Sequence, residues 1–325
     1  MKFSAHIEVW PLIAPFRISG KEWLTADALV VELSGDGAIG RGEAQAVYYL
    51  DETPEIMLEQ VEGISDRLRA GITREALLEL LPSGGARNAV DCALWDWEAK
   101  QSGRTIWELL GMEPKPVTTV FTIGLEATPE AMAEKARKAA DCPVLKVKLS
   151  SDRPVERLKA VREARPDAEI VVDANQAWTP SMLQEVIEGV KDLSVAMIEQ
   201  PLPRGNDRFP DDFSSPIPIA ADESCLDTKE FETLSRHYDI VNIKLDKSGG
   251  LTEALRLAEA AKAAGMELMT GNMVGTSLAM APAFVIAQMS RFVDLDGPLL
   301  LRYDRPNGLR FDKGRVQVFG PELWG

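Results

Sequence analysis

The first fifty residues of the chain alternate between apolar and polar positions, which is the pattern of half-buried β-strands. The stretch HIEVWPL (6–12) precedes ALVVELSGDGAIGRGEA (28–44), where Gly35, Asp36 and Gly37 interrupt the alternation. A break of this kind between two apolar runs is typical of a hairpin turn. We therefore predict that the chain opens with antiparallel strands.

Over residues 53–111 the apolar positions recur with the period of a helix. One stretch, SGGARNAVDCALWDWEAKQSG (83–103), places Ala89 and Ala93 on a common apolar face at i, i+4 spacing. Strands followed by helices predict an α+β domain at residues 1–115, with a boundary at a proline-containing segment.

From residue 116 to residue 304 short apolar runs alternate with amphipathic helical segments. The predicted strands share an apolar, β-branched composition and are TTVFTI (118–123), VLKVKL (144–149), EIVVDA (169–174), VAMIEQ (195–200), IPIAAD (217–222), IVNIKL (240–245), MELMTG (266–271) and RFVDLDG (291–297). Eight strands separated by helices predict an α/β, TIM-type barrel. A doubly wound open sheet is the alternative, but no GxGxxG follows an early strand. Residues 305–325 are predicted to return to the N-terminal domain and complete it.

The charge and the cysteine content narrow the function classes. With 36 basic and 51 acidic residues, the formal net charge is −15, which argues against binding to nucleic acid or to an anionic membrane. Three scattered cysteines and two histidines make a disulfide framework or a zinc site unexpected. The N-terminus has no signal-peptide pattern, and no stretch approaches the ~20 apolar residues of a membrane span. We therefore expect a cytoplasmic protein.

Ionisable residues stand where the barrel strands end. From the second strand to the sixth they follow one another at intervals of 22 to 26 residues. They are Lys146 and Lys148, then Asp173, Glu199, Asp222 and Lys244. Each interval is about one βα unit, and the carboxyl ends of barrel strands meet at one mouth. We expect these side chains to converge there.

The three acids form a set of hard oxygen donors suited to Mg²⁺. An Asp after a strand is also a common helix cap or turn former, and for a single one that would be the preferred interpretation. Asp173, Glu199 and Asp222 together favour a metal site. Asn175 and Glu223 are neighbouring candidates, for which a capping role is an equal alternative.

Two lysines interrupt the apolar run VLKVKLSSD (144–152). Residues i and i+2 of a strand point to one face, so Lys146 and Lys148 are crowded together unless anions lie nearby. A half-exposed strand with lysines facing solvent is the alternative. A lysine in a dry cavity beside another cation has a lowered pKa and can act as a base. With Lys244 on the other side, the pattern predicts proton removal and return at carbon by two bases, as in a racemase or epimerase.

These residues resemble the enolase superfamily, in its muconate-lactonising subgroup, over nearly the whole chain. The resemblance rests on the KxK of LKVKL, on the strand ends VDAN, IEQPLP and ADES, on NIKLDKSGG and on the helix ARNAVDCALWD. It implies a (β/α)7β barrel catalytic domain at residues 116–304 under the α+β capping domain. It also implies that Lys148 and Lys244 are the acid/base pair, that the three acids hold Mg²⁺, and that Lys146 supports the substrate carboxylate and depresses the pKa of Lys148.

Within the subgroup, FVDLDGP is similar to the DxD signature of the dipeptide epimerases. Asp294 and Asp296 are expected on one face of the eighth strand, where two carboxylates suit a substrate ammonium; a charged turn is the alternative. Muconate lactonising enzymes and o-succinylbenzoate synthases have no amine to bind. The resemblance thus implies epimerisation at the α-carbon of the C-terminal residue of a dipeptide, through an enediolate stabilised by Mg²⁺.

The loop near residue 20 covers the substrate in this family. Ala-Glu epimerases generally carry an arginine there, whereas FRISGKEWLTAD (16–27) has Trp23 at the corresponding position. This departure favours a related dipeptide with an apolar second residue over L-Ala-L/D-Glu. Lys21 or Arg17 could still supply the positive charge for a glutamate carboxylate. A tryptophan that merely packs on the capping domain is the alternative. Further residues predicted to line the pocket are Thr122, Asn272 and Met273.

Two other functions remain as alternatives. One is an o-succinylbenzoate synthase or a muconate-type cycloisomerase, and the other is a non-catalytic barrel that binds or scaffolds. The second would be expected to have a degraded ligand set, whereas every expected acid and lysine is present. The resemblance further implies that the protein forms a homo-oligomer and that its substrate is a small-molecule dipeptide.

Overall fold

The computed structural model describes residues 1–18, 21–210, 212–234 and 236–325. Ser19 and Gly20, within the predicted substrate-covering loop, lie outside the described residues. The chain opens with an antiparallel sheet of order β1-β2-β3. Its strands are β1 (Lys2–Ile18), β2 (Lys21–Gly35) and β3 (Ala38–Gln45). The predicted hairpin turn lies between β2 and β3, where Asp36 and Gly37 both have positive φ (50° and 80°), as a two-residue turn matching the strand twist requires.

Five helices follow the sheet, as the helical period predicted. They are α1 (Pro54–Gly63), α2 (Ser65–Ala70), α3 (Arg74–Leu80), α4 (Gly85–Ser102) and α5 (Ile106–Leu110). The buried face of β2 packs against the Ala- and Val-rich face of α4, which makes one core for this part of the chain. A short 3₁₀ turn, Tyr48–Leu50, links β3 to α1.

The second part of the chain is a curled sheet of eight parallel strands in sequential order. After β4 (Val117–Thr118), its strands are β5 (Phe121–Ile123), β6 (Val144–Lys148), β7 (Glu169–Asp173), β8 (Val195–Glu199), β9 (Ile219–Ala221), β10 (Ile240–Ile243), β11 (Glu267–Thr270) and β12 (Phe292–Val293). The amide of Val120 donates to the Val293 carbonyl at 2.8 Å, which joins the first strand to the last. The predicted barrel with an N-terminal capping domain is therefore confirmed.

Helices cover the outer face of the barrel. They are α6 (Pro129–Lys138), α7 (Pro154–Ala164), α8 (Pro180–Val190), α9 (Thr228–Phe231), α10 (Leu245–Ser248), α11 (Leu251–Ala263) and α12 (Ser277–Ala287). Thr128 and Thr179 cap α6 and α8, each followed by proline at the first helical position. Two further 3₁₀ turns are Lys191–Leu193 and Gly297–Leu300.

The C-terminal segment contacts both parts of the molecule. Strand β13 (Phe311–Asp312) pairs with β14 (Arg315–Val316), and β14 pairs with β4. The Trp324 indole N–H donates to the Cys92 carbonyl of α4 at 3.0 Å. The exact domain limits, the homo-oligomer and the cytoplasmic location stay predictions. In the described parts of the chain, no helix is long and apolar enough to cross a membrane.

Candidate active site

A cavity of about 140 Å³ lies where the carboxyl ends of the barrel strands face the N-terminal sheet. Most of the ionisable and pocket residues predicted from the sequence line it: Lys146, Lys148, Lys244, Asp294, Asp296, Thr122, Trp23, Asn272 and Met273. Capping-domain residues contribute the opposite wall. The cavity is therefore built by both domains.

Lys146 is the most enclosed of the cavity lysines, with 1% of its side chain exposed. Its Nζ lies 3.0 Å from Asp173 Oδ2, 2.8 Å from Glu199 Oε2 and 2.7 Å from Asp294 Oδ2. Burial lowers the pKa of Lys146, but the carboxylates of Asp294, Glu199 and Asp173 outweigh burial and raise that pKa well above its usual value. Lys146 therefore links the strand-end acids to the DxD segment.

Lys148 lies two residues further along β6, on the same face. It is directly opposite Asp173 in the register of β6 and β7, and its Nζ lies 2.6 Å from Asp173 Oδ2. Burial raises the pKa of Asp173, but Lys148 and Lys146 outweigh burial and hold it well below its usual range. The parallel register thus explains why these opposite charges meet.

Lys244 follows β10 and pairs with Asp222, which follows β9. Lys244 Nζ lies 2.6 Å from Asp222 Oδ2. Burial lowers the pKa of Lys244, but the carboxylates of Asp222 and Glu199 outweigh burial and raise it above its usual value. The lowering expected for a lysine in a dry cavity is therefore not seen for Lys244, because each cation here has an anion in contact.

The three strand-end acids are all buried, and their donor chemistry fits a hard divalent cation. Asp173 and Glu199 are paired in register on adjacent strands. Glu199 Oε2 has no hydrogen-bond partner among the described residues, although it is close to Lys146. Burial and the charge of Asp173 raise the pKa of Glu199 to about 7. A bound cation beside Glu199 Oε2 would offset this crowding of negative charge.

The acids are not gathered into a ready-made cage. Among the described residues, no three His, Cys, Asp or Glu side chains are arranged to hold a metal ion. The cause is visible in the contacts, since the lysine ammonium groups separate the acids. The assignment of Asp173, Glu199 and Asp222 as metal ligands stays a prediction that their chemistry supports.

Asp294 and Asp296 both line the cavity, but they lie just beyond β12 rather than within it. The expected position on the eighth strand is thus wrong by a few residues, because the 3₁₀ turn Gly297–Leu300 begins immediately afterwards. Asp296 Oδ2 accepts from the Thr122 amide at 2.7 Å. Burial and the charge of Asp294 raise the pKa of Asp296 to about 7.

Aromatic residues form the far wall of the cavity. The ring of Trp23 lies 5.2 Å from that of Tyr48 and 6.2 Å from that of Phe16. Trp23 therefore both lines the cavity and packs on the capping domain, so the two sequence interpretations are compatible.

The two cations considered for the distal site are engaged elsewhere. Arg17 pairs with Glu22, and both side chains are about half exposed. Lys21 Nζ lies over the Tyr48 ring, 4.2 Å from its centroid, and Lys21 does not line the cavity. Of the residues that the structure describes, the cations that line the cavity are the three lysines at its base, each paired with a carboxylate.

Sequence reasoning missed Gln45 and Tyr49 in the cavity wall, whereas it named Glu223 as a candidate beside the strand-end acids. Gln45 Nε2 and Tyr49 Oη are buried and lack a hydrogen-bond partner among the described residues, as does Glu223 Oε2. All three residues line the cavity, so a substrate or water can satisfy them. Burial and the charges of Asp222 and Asp173 raise the pKa of Glu223 to about 8. From the capping domain, only the loop at residues 16–27 was predicted to reach the substrate, and Gln45 and Tyr49 lie outside that loop.

Two more missed residues hold the strand-end acids. Asn242 Nδ2 donates to Glu199 Oε1 at 2.7 Å. Gln200 Oε1 accepts from the amide of Asp222 at 2.9 Å. Gln200 has a φ of 36°, which is unusual for a residue other than glycine. These contacts could not be inferred from the spacing of ionisable residues, because neither amide side chain is ionisable.

Curated relatives are named epimerases and racemases. The chain is 41% identical to the L-Ala-D/L-Glu epimerase of Escherichia coli (strain K12), over 96% of this chain and 98% of the relative. It is 42% identical to the N-acetyl-D-glutamate racemase of a Pseudoalteromonas species, over 87% of this chain and 91% of the relative. Enzymes with such names are isomerases that act on amino acid derivatives.

Solved structures with the same fold contain dipeptides. An enolase family member from Agrobacterium tumefaciens, with homology to dipeptide epimerases and with bound sodium and L-Ala-L-Glu, superposes with a TM-score of 0.96 at 41% identity, covering 99% of both chains. The dipeptide epimerase from Methylococcus capsulatus, complexed with Mg and L-Arg-D-Lys, superposes with a TM-score of 0.90 at 32% identity, covering 99% of this chain and 98% of that one.

Family assignments cover both domains. Residues 3–111 match the mandelate racemase / muconate lactonizing enzyme N-terminal domain, and residues 130–322 match the enolase C-terminal domain-like family. The resemblance drawn from the strand-end motifs is thereby confirmed. The chain belongs to the mandelate racemase / muconate lactonizing enzyme family of the enolase superfamily, and it is an isomerase.

Proposed function

We propose that this protein is a Mg²⁺-dependent dipeptide epimerase that inverts the α-carbon of the C-terminal residue of a dipeptide. The observation that carries the proposal is the pair of lysines on separate strands, Lys148 and Lys244, each in contact with a strand-end carboxylate at the base of one cavity. A racemising site needs two such groups, because a proton must leave one face of the carbon and arrive at the other.

The lysines divide the work as acid and base. One of Lys148 and Lys244 removes the α-proton as a neutral amine, and the other delivers a proton from the opposite side as an ammonium. Lys146 keeps its positive charge beside the substrate carboxylate, because its own pKa is raised. A divalent cation on Asp173, Glu199 and Asp222 would withdraw negative charge from the lysines and stabilise the charge that develops when the α-proton leaves.

The DxD acids supply the contact that selects a dipeptide. Asp294 and Asp296 line the cavity close to Lys146, and a free α-ammonium of the first residue would complement their charge. A cycloisomerase or an o-succinylbenzoate synthase offers no ammonium to this pair. This favours a dipeptide over those substrates.

The distal wall supports a neutral second residue. Trp23, Phe16 and Tyr48 form an aromatic surface there, and the cations near it are paired or lie outside the cavity. Burying a glutamate carboxylate against this wall without a partner would be unfavourable. We infer that dipeptides such as L-Ala-L-Leu or L-Ala-L-Phe are better substrates than L-Ala-L-Glu, even though relatives are named for glutamate.

Proton NMR in D₂O tests the function directly. The enzyme with Mg²⁺ is incubated with a panel of L-Ala-L-X dipeptides and with the matching N-acetyl amino acids. Exchange of one α-proton with inversion in the dipeptides is expected. Exchange in the N-acetyl amino acids alone would instead identify an N-acetyl amino acid racemase, in line with the name N-acetyl-D-glutamate racemase of the Pseudoalteromonas relative. Inertness of the whole panel would exclude the proposal.

Lysine variants test the two-base mechanism. Lys148→Ala and Lys244→Ala should each lower epimerisation at least about 10³-fold, the order expected for loss of a general acid or base. Each variant should still exchange the α-proton of one epimer, because the remaining lysine can remove it and return deuterium to the same face. Lys159→Ala, on an exposed position of α7, is the control and should have full activity. Exchange from both epimers in either cavity variant would refute two separate bases.

A further inference from the structure

We propose that Lys247 is a positioning residue: it holds the Asp222 carboxylate, and that carboxylate in turn holds Lys244. Lys247 therefore supports proton transfer at only one face of the α-carbon, the face that Lys244 serves. The inference rests on the proposed function and adds a residue that touches neither substrate nor solvent. Lys247 is fully buried and does not line the cavity. A buried lysine outside the cavity requires an explanation, because an unpaired buried charge is strongly destabilising.

The contacts of Lys247 give that explanation. Its Nζ donates to Asp222 Oδ1 at 2.7 Å and to the Asp222 carbonyl at 2.5 Å. It also donates to the carbonyls of Asn242 at 2.9 Å and of Cys225 at 3.1 Å. An ammonium has three N–H groups, so four oxygens fully occupy it. Lys247 thus ties the end of β10 to the segment that follows β9.

The Asp222 carboxylate is shared between two lysines. Lys247 holds Oδ1, and Lys244 Nζ lies 2.6 Å from Oδ2. A carboxylate fixed at one oxygen and at its own backbone cannot rotate freely, so the second oxygen has a defined position. The position of the Lys244 ammonium therefore depends on Lys247 through the carboxylate that both lysines contact.

The backbone of Lys247 is anchored by the capping domain. It lies in α10, which ends at Gly249 with a φ of 76°. Arg87 of α4 donates through Nε to the Gly249 carbonyl at 3.1 Å and through Nη2 to the Ser248 carbonyl at 2.6 Å. The backbone segment that carries Lys247 is therefore held in place by α4.

The opposite side of the site has no such support from Lys247. Lys148 pairs with Asp173, and Lys146 contacts Asp173, Glu199 and Asp294. Among the described residues, the Lys247 ammonium donates to Asp222, Cys225 and Asn242, and to none of the acids that contact Lys148 or Lys146. Loss of Lys247 should therefore disturb proton transfer through Lys244 and spare transfer through Lys148.

The test compares α-proton exchange from the two epimers separately. Epimerisation rates alone cannot separate the faces, because the equilibrium constant couples the two directions, whereas solvent exchange without inversion reports each base. Each pure epimer of an accepted dipeptide is incubated in D₂O with saturating Mg²⁺ and Lys247→Gln or Lys247→Met. Lys244→Ala defines which epimer loses its proton to Lys244.

In the Lys247 variants, exchange from the epimer that loses its proton to Lys244 should fall at least about tenfold. This is the order typical for loss of a residue that holds a ligand side chain in place. Exchange from the other epimer should change less than about twofold. Glutamine keeps an N–H donor, so Lys247→Gln provides a folded variant if Lys247→Met does not fold. Lys262→Met, at an exposed position on α11, is the matched control and should change neither rate.

A crystal structure of metal-free Lys247→Gln gives a readout that does not depend on activity. It should show the Asp222 carboxylate rotated and the 2.6 Å contact with Lys244 lost. An unchanged contact, or an equal fall in exchange from both epimers, would overturn the inference. A parent enzyme that exchanges no dipeptide at all would instead count against the proposed function.

Discussion

At the scale of single residues, Asp296 predicts how substrate binding depends on pH. Burial and Asp294 raise its pKa to about 7, so the carboxylate takes up a proton as the pH falls through that value. Protonation removes its attraction for a substrate ammonium. The KM of an accepted dipeptide should therefore rise as the pH falls below about 7, by up to about tenfold per pH unit. Steady-state kinetics between about pH 6 and pH 8 measure this.

Asp296→Asn is the matched variant for this prediction, since it removes the titrating charge and keeps the shape. Its KM should be high and nearly independent of pH. An N-acetylated dipeptide, which has no ammonium, should show no such pH dependence with the parent enzyme. A parent KM that stays constant over this range, or an Asn variant with the parent's pH dependence, would contradict the role of Asp296.

Single residues also show how much of the site could be predicted from the sequence. Strand-end spacing predicted that Lys148 and Lys244 reach one cavity and that Asp173 lies beside Lys148, because parallel strands in sequential order put equivalent positions side by side. It could not predict Lys247, whose contacts depend on the turn after β10. It also could not predict that Arg17 pairs with Glu22, since that contact depends on the register of β1 and β2.

At the scale of elements, the packing of β3 on α4 depends on glycine. A Cβ built on Gly42 would lie 2.0 Å from the Ala89 carbonyl oxygen, so an alanine there would push the strand off the helix. Gly42→Ala should lower the free energy of unfolding by about 2–4 kcal/mol, at or above the usual range for overpacking. Urea denaturation measures the change.

Gly63→Ala is the control for this prediction. Gly63 ends α1, and a Cβ there would have no neighbour within 4 Å. Its substitution should leave stability unchanged or raise it by up to about 1 kcal/mol, because alanine favours the helix. Equal destabilisation by both substitutions would show that close packing is not the cause.

Element boundaries followed the periodicity closely in the barrel. The strand predicted at 144–149 is observed at Val144–Lys148, and the one predicted at 195–200 is observed at Val195–Glu199. Other strands are shorter than predicted: the strands predicted over 118–123 and 217–222 are observed as Phe121–Ile123 and Ile219–Ala221. The largest difference is at β12, predicted over 291–297 and observed as Phe292–Val293. Its apolar pattern continues into the 3₁₀ turn, so hydrophobicity alone could not locate the end of the strand.

At the scale of the whole molecule, Arg305 of the C-terminal segment holds the buried Glu43 of the capping domain, and Glu43 in turn contacts the barrel. Arg305 Nη2 lies 2.7 Å from Glu43 Oε2 and 2.6 Å from Glu8 Oε2. Glu43 is fully buried and accepts from the Thr276 amide at 2.8 Å, next to the segment that supplies Asn272 and Met273 to the cavity. The sequence predicted two domains, but not this contact, because its members are up to 297 residues apart.

Arg305→Met should therefore weaken the whole molecule and the site together. It leaves Glu43 as a buried carboxylate without its cation, and loss of one partner of a buried pair destabilises by about 3–5 kcal/mol. Arg305 lowers the pKa of Glu43 against the effect of burial, so its removal raises that pKa further and favours the protonated carboxyl. The loss of stability should then be larger at about pH 8 than at about pH 5, where Glu43 is more readily neutral. Urea denaturation at both pH values measures the loss of stability, and the KM for the dipeptide should rise as the 272–276 segment loosens.

Arg291→Met is the control variant. It removes an ion pair with Glu267 in which both side chains are about half exposed, and it should lower the free energy of unfolding by less than about 1 kcal/mol. If Arg305→Met lost the same stability at both pH values, the charge of Glu43 would not be what joins the two domains.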